Sequence, residues 1–209
     1  SELAIWLQLA TCCRIGELSQ AQWKDIDLDA GTWRIPADIA KNAKEHIIYL
    51  SGFAIEKFKA LYALTGKVES AQGDKVAGTW AFPARSKKTH ICVKTLAKQV
   101  GDRQRGDKGV MSNRTKLADA LNLPGGKWTP HDLRRTGATM MVALGVQPEV
   151  VERCLNHTEQ NRVKRIYQRH DYRTETKEAW KLLGERLELL TSTTGNVVTM
   201  KRRKGLRPE

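Results

Sequence analysis

Apolar residues recur at helical spacing through residues 2–13, where Leu3, Ile5, Trp6, Leu9 and Ala10 fall on one face. This predicts an opening helix. A second, short helix is expected at 16–22. The period then changes. Residues 23–28 alternate, Asp29-Ala30-Gly31 turns the chain, residues 32–36 alternate again, and 46–50 are rich in β-formers. These pieces predict a three-stranded antiparallel sheet whose second connection lies around residues 41–45. Ser51-Gly52 punctuates, and 55–64 return to helical spacing. Residues 66–90 look irregular apart from a short apolar piece at 79–82. Helices are expected at 93–100 and 113–121, before Pro124-Gly125-Gly126 breaks the chain. From Pro130 the pattern is strongly helical. Leu133, Thr136, Ala138, Met140, Met141 and Leu144 fit one segment that Gly145 ends. Pro148 opens another, to about Leu155. A further helix is expected at 162–168. A long final one carries Trp180, Leu183, Leu187 and Leu190 at spacings of three and four. The fold class is mainly α with a small three-stranded antiparallel sheet (α+β). It forms one domain over residues 1–195, followed by a flexible basic tail at 196–209.

Charge narrows the function. Lys and Arg number 36 against 23 Asp and Glu, a net charge of +13 that favours a polyanionic partner. The tail holds five basic groups and one acid, so most of the excess lies in the folded part. A 40% hydrophobic content excludes wholesale disorder. No apolar run reaches the roughly 20 residues of a membrane span, and no signal-peptide pattern is present. The chain starts at Ser1, within an apolar pattern and without Met, so a fragment of a longer protein is expected. Cys12, Cys13, Cys92 and Cys154 form no CxxC pair. They are expected to be reduced, buried thiols of a cytoplasmic protein.

No P-loop, dinucleotide fingerprint or metal-ligand cluster occurs, so no cofactor and no metal are expected. Arg, Lys and His in tight local contexts stand out instead. HDLRRT places His131 and Arg134 three apart, on one helix face. His157 follows a helix end in LNH, Tyr167 lies ten residues later, and Arg14 opens RIGEL at an inter-helix junction. Singly, each is more often a surface ion-pair residue, a cap or a packing residue.

Together, and in this order, they resemble the tyrosine recombinase or phage integrase family. The likeness is to its catalytic domain, as found in prophage and genomic-island integrases, and runs from about residue 2 to 190. The matching elements are Arg14, Lys41 in AKNAKEHIIYL, His131, Arg134, His157 and Tyr167. The resemblance implies a site-specific recombinase that cuts and rejoins duplex DNA through a 3′-phosphotyrosine, without metal or ATP, to integrate or excise a mobile element. Tyr167 would be the nucleophile, with Tyr172 as competitor. Arg14 and Arg134 would grip the non-bridging phosphate oxygens. Lys41, with Lys44 as competitor, would protonate the leaving 5′ oxygen. His131 would act as general acid/base, His157 would donate a hydrogen bond to the phosphate, and Glu17 would orient these groups. Asn156 stands where many members have Gly, and Tyr49 where Pro is frequent.

The implied partners are attachment-site DNA and further copies of the chain in a DNA-bound tetramer. A host DNA-bending protein and an excisionase are candidate accessory factors, in a bacterial, cytoplasmic and nucleoid-associated setting. The final helix is expected to dock on a neighbouring protomer or on its own core. A type IB topoisomerase-like activity and a non-catalytic basic DNA-binding module are the alternatives.

Overall fold

The computed structural model describes residues 2–69, 75–106, 117–158 and 170–192. Helix α1 (Glu2–Thr11) runs through the centre of the molecule and packs against three others. These are α3 (Gly52–Thr65), α5 (Pro130–Ala143) and the final helix, α7 (Arg173–Thr191). A helix enclosed on several sides has no single apolar face. Accordingly Ala4, Leu7 and Ala10 are its most buried apolar residues, while Leu3, Trp6 and Leu9 pack at the margin. The face expected from spacing was therefore rotated from the one that is most deeply buried.

Between α1 and α3 lie α2 (Ile15–Ser19), a single 3-10 turn (Trp23–Asp25), and strands β1 (Ile26–Asp27), β2 (Thr32–Ile35) and β3 (His46–Tyr49). They form an antiparallel sheet in the order β1-β2-β3, with Trp33 opposite Ile48 in the buried register. The sheet is the expected one, with a shorter first strand because Trp23–Asp25 is helical. Phe58 of α3 meets Trp33 and Trp23 edge-on, with ring centroids 5.7 and 6.3 Å apart.

Two expectations change. A two-stranded antiparallel sheet, β4 (Lys67–Glu69) with β5 (Lys75–Ala77), occupies part of the stretch expected to be irregular. Strands this short give no usable period. The described part of the helix expected at 113–121, residues 117–121, lacks helix and consists of bends and turns. Trp128 explains part of this: its indole N–H donates to Leu121 O at 2.9 Å, and so fixes a turn rather than a helical bond. The helix expected at 162–168 and the tail at 196–209 lie outside the described residues. Helix α4 (Val93–Asp102) and α6 (Pro148–Cys154) fall where expected.

Helix α7 packs on its own domain. Trp180, Leu183 and Leu187 are buried, and the Trp180 indole donates to Thr11 O at 3.2 Å, capping the end of α1. Leu190, expected on the same stripe, is 53% exposed.

Gly137 sets the closeness of α5 to α1. A Cβ there would stand 2.5 Å from Cys12 Sγ and 2.8 Å from Leu9 O, and the latter is backbone that cannot swing aside. Gly137→Ala is expected to cost about 2 kcal/mol by overpacking. Thermal melting should fall by roughly 4–8 °C.

Candidate nucleic-acid cleavage site

The site begins where α1 stops. Cys12 takes a left-handed conformation (φ 54°), which ends the helix and turns the chain so that Arg14 becomes the N-cap of α2. Glu17, three residues on and buried, receives the Arg14 backbone N–H at 2.7 Å and its Nη1 at 2.9 Å. The carboxylate therefore fixes both the main chain and the guanidinium of Arg14, which remains partly exposed.

Helix α5 starts firmly. Thr129 donates its backbone N–H and its hydroxyl to Asp132 Oδ2, at 2.9 and 2.8 Å, and Pro130 holds the first helical position. Upstream, buried Gln104 accepts from the Trp128 N–H at 2.8 Å and donates to Trp128 O at 2.7 Å. One turn into α5, Arg134 is buried. Its Nη1 donates to Cys12 O and its Nη2 to Leu155 O, with His157 Nε2 3.2 Å from the same Nη2. Burial, and then the like charge of Arg14, push its pKa below the ordinary arginine value. The group is still a cation at any physiological pH.

His157 follows α6. Asn156 before it is left-handed (φ 49°), the backbone state that Gly would adopt without strain. His157 Nδ1 lies 2.6 Å from Glu152 Oε2, and a carboxylate can only accept, so Nδ1 carries a proton and Nε2 faces Arg134. Glu152 was not singled out from sequence. Its only signal is its position five residues before His157.

His131 is exposed on the first turn of α5 and has no hydrogen bond or ion pair among the described residues. Lys41 and Lys44 are both exposed on the β2–β3 connection. Lys44, His46, Arg153, His157 and Arg173 line a cleft of about 390 Å³ between that connection, the end of α6 and the start of α7. Lys41 lies just outside its lining. Tyr167 lies outside the described residues. Tyr172 is half-buried at the N-cap of α7, with the Arg153 guanidinium 5.3 Å above its ring and His170 edge-on at 4.7 Å. Arg14, Arg134 and His157 are thus brought together with Glu17. Tyr49 also gains a role: its ring packs at 6.1 Å against Trp180.

The thiols stand apart from this chemistry. Cys12, Cys13 and Cys154 are free and buried, and burial pushes Cys12 up to about 12 and raises the other two as well. Cys92 departs from expectation: it is exposed, at the start of α4.

His46, on β3, is part-buried behind the site, and burial lowers its pKa from 6.5. Glu17 opposes that shift, while Arg134 and Arg14 reinforce it. The unfolded chain therefore binds a proton on His46 more readily than the folded one. This contribution to stability is complete above about pH 6.5 and is lost as pH falls from there toward the lower folded value. Melting temperature is expected to drop on acidification through this window. His46→Gln should flatten part of that slope.

Comparison with known proteins agrees with the fold. Residues 1–174 match the model of the phage integrase family. The chain is 30% identical over 172 residues to the prophage integrase IntA of Escherichia coli (strain K12), covering 81% of this chain and 34% of that protein. Among solved structures, the integrase of mycobacterium phage Brujita superposes with a TM-score of 0.58 at 16% identity, over 87% of this chain and 50% of that one. XerA recombinase does so with a TM-score of 0.54 at 20% identity, over 85% and 56%. The protein belongs to the phage integrase family. Its fold is that of a tyrosine recombinase catalytic domain, and it spans about a third of the length of the prophage integrase it matches.

Proposed function

We propose that residues 1–195 form the catalytic domain of a site-specific DNA recombinase that cuts and rejoins duplex DNA through Tyr167. The observation that carries this is the convergence of Arg14, Arg134 and His157 from three separate segments, with Glu17 and main-chain carbonyls holding the two guanidiniums in place.

The chemistry then runs as follows. Tyr167 Oη attacks the scissile phosphorus, and the bond to the 5′ oxygen breaks. The products are a 3′-phosphotyrosine and a free 5′-hydroxyl. A free phenol has a pKa of about 10, so ionising it at pH 7 costs roughly 4 kcal/mol. Cationic surroundings offset part of that, and His131 takes the proton as general base. Arg14 and Arg134 stabilise charge on the non-bridging oxygens as the phosphorus becomes five-coordinate. His157, held by Glu152, donates to the same phosphate once its Nε2 is protonated. Lys41 gives its proton to the leaving 5′ oxygen. Attack of a 5′-hydroxyl from another strand reverses these steps and releases Tyr167. The bond energy is kept in the phosphotyrosine, so no ATP is consumed.

The partners in this proposal are attachment-site DNA and three further copies of the chain on it. A host DNA-bending protein and an excisionase act as accessory factors, in the nucleoid of a bacterial cytoplasm. One solved relative, XerH recombinase, was captured with its difH substrate in a post-cleavage complex, with a TM-score of 0.51. Among the described residues, no helix is long and apolar enough to cross a membrane.

The test is covalent capture in EDTA. The chain is incubated with a nicked duplex spanning one end of the element that encodes it, denatured and digested. Mass spectrometry then locates the nucleotide-bearing tyrosine. An adduct on Tyr167 is expected. An adduct on Tyr172 would move the nucleophile, and DNA binding without any adduct would leave a basic binding module.

A further inference from the structure

The last carbonyls of a helix lack intrahelical donors and take them from elsewhere. At the end of α6, three consecutive carbonyls do so through side chains of other elements. Cys154 O accepts from His46 Nε2 at 3.2 Å, Leu155 O from Arg134 Nη2, and Asn156 O from Asn42 Nδ2 at 3.1 Å. A carbonyl can only accept, so the His46 tautomer is fixed with its proton on Nε2. The two asparagines also pair through their side chains. Asn42 Nδ2 lies 3.0 Å from Asn156 Oδ1, and Asn156 Nδ2 lies 3.3 Å from Asn42 Oδ1.

Two of these donors belong to one hairpin. Asn42 directly follows Lys41, and His46 opens β3. Between them Ala43, Lys44 and Glu45 are exposed, and Ala43 is left-handed. Such a turn would sample many conformations if it were free, and ordering it costs backbone entropy. Here it is tied near both ends to the turn that presents His157, and Arg134 holds the same turn from the opposite element.

We propose that Asn42 and His46 are positioning residues for DNA cleavage: they latch the lysine-bearing hairpin onto the end of α6 and so place Lys41 relative to Arg134 and His157. This rests on the function proposed above, in which Lys41 protonates the leaving oxygen. The latch fixes the peptide next to Lys41 but leaves its long side chain free to reach a phosphate. It also accounts for Asn156. The backbone state at this position would suit Gly, yet the amide side chain adds a second grip on Asn42.

Two measurements on the 209-residue chain test this. The first is hydrogen–deuterium exchange without DNA. Asn42→Asp keeps the shape but removes the donor, and His46→Ala removes the other. Both are expected to raise exchange at residues 41–45 about tenfold and to leave β2 unchanged. Asn156→Gly keeps the accepting carbonyl and loses only the second grip, so its exchange should rise by less than that of Asn42→Asp. The second measurement is single-turnover cleavage of two duplexes spanning the element end. One has an ordinary scissile phosphate and the other a 5′-bridging sulfur, which leaves as a thiolate without needing a proton. Asn42→Asp and His46→Ala should cut the oxygen substrate at least tenfold more slowly and the sulfur substrate at the wild-type rate, as Lys41→Ala should. Any loss in Lys44→Ala should be the same on both substrates, with no rescue by sulfur.

Unchanged hairpin exchange would overturn the latch. A rate loss that sulfur does not restore would overturn the positioning of Lys41, because the variants would then be acting through Arg134 or His157. Sulfur rescue of Lys44→Ala in place of Lys41→Ala would overturn the choice of lysine. Failure of the underlying function looks different: the wild type would form no adduct with either duplex, and the proposal would fall with it.

Discussion

Arg134→Lys is expected to slow formation of the covalent adduct on the order of 10³-fold while also lowering stability. The guanidinium does two jobs at once. It bridges the end of α1, through Cys12 O, to the end of α6, through Leu155 O, and it faces His157 at 3.2 Å. Its planar fork makes this possible, and its remaining N–H donors are available to a phosphate. An ammonium is a point charge with three donors and cannot span both carbonyls while also reaching a ligand. Removing one aligned donor from a charge-stabilising site costs about 10²–10³ in rate, and here the alignment of His157 is lost as well. Each buried carbonyl left without a donor costs about 1–3 kcal/mol. Arg134→Ala should therefore melt lower still than Arg134→Lys. Single-turnover adduct assays at two temperatures separate the two jobs. A catalytic deficit persists at 10 °C, where the variant is fully folded. Recovery of wild-type rates on cooling would reduce Arg134 to a structural strut.

The same residue shows what the sequence made legible. Arg14, His131, Arg134 and His157 stood out as candidates because few side chains suit a phosphoryl transition state and these lie in short recognisable contexts; the structure brings Arg14, Arg134 and His157 together and leaves His131 exposed. What holds them could not be. Arg134 is held by Cys12 O and Leu155 O, and a carbonyl has no signature in a sequence because every residue carries one. Asn42 and Asn156 are far apart along the chain and polar, so nothing in the local pattern links them. Glu17 was visible only through the family resemblance, which implies an acidic residue shortly after the first Arg. Glu152 was missed because a spacing of five is not a standard contact across a helix face.

The fold divides the same way. Amphipathic α5, flanked by a capping residue, Pro130 and Gly145, fell where the periodicity put it. Helix α1 was found, but its buried face was not, because α3, α5 and α7 surround it. The β4–β5 hairpin was missed because its strands are three residues each, too short for alternation to register.

Trp180→Ala is expected to destabilise the domain by about 4 kcal/mol, as for other large-to-small changes at a buried aromatic. In a chain of this size that is a fall of roughly 8–16 °C in melting temperature. Trp180 is 1% exposed, and its indole N–H caps Thr11 O at 3.2 Å. Its ring also backs the β2–β3 hairpin, 6.0 Å from His46 and 6.1 Å from Tyr49. Truncation therefore opens a cavity where α7, the end of α1 and β3 meet, and leaves Thr11 O without its donor. Trp180→Phe should fall between the two, since it keeps most of the packing and loses only the N–H. Leu190→Ala is the contrast: that side chain is 53% exposed, and its removal should shift stability by no more than about 0.5 kcal/mol. Thermal melts of the three variants decide what the final helix is for. An element that mainly docked on a neighbouring protomer would leave the isolated domain's melting temperature unchanged by Trp180→Ala. The buried Trp180–Leu183–Leu187 stripe requires the opposite, because those residues complete the core that holds Cys12 O and Cys154 O in place behind Arg134 and His46.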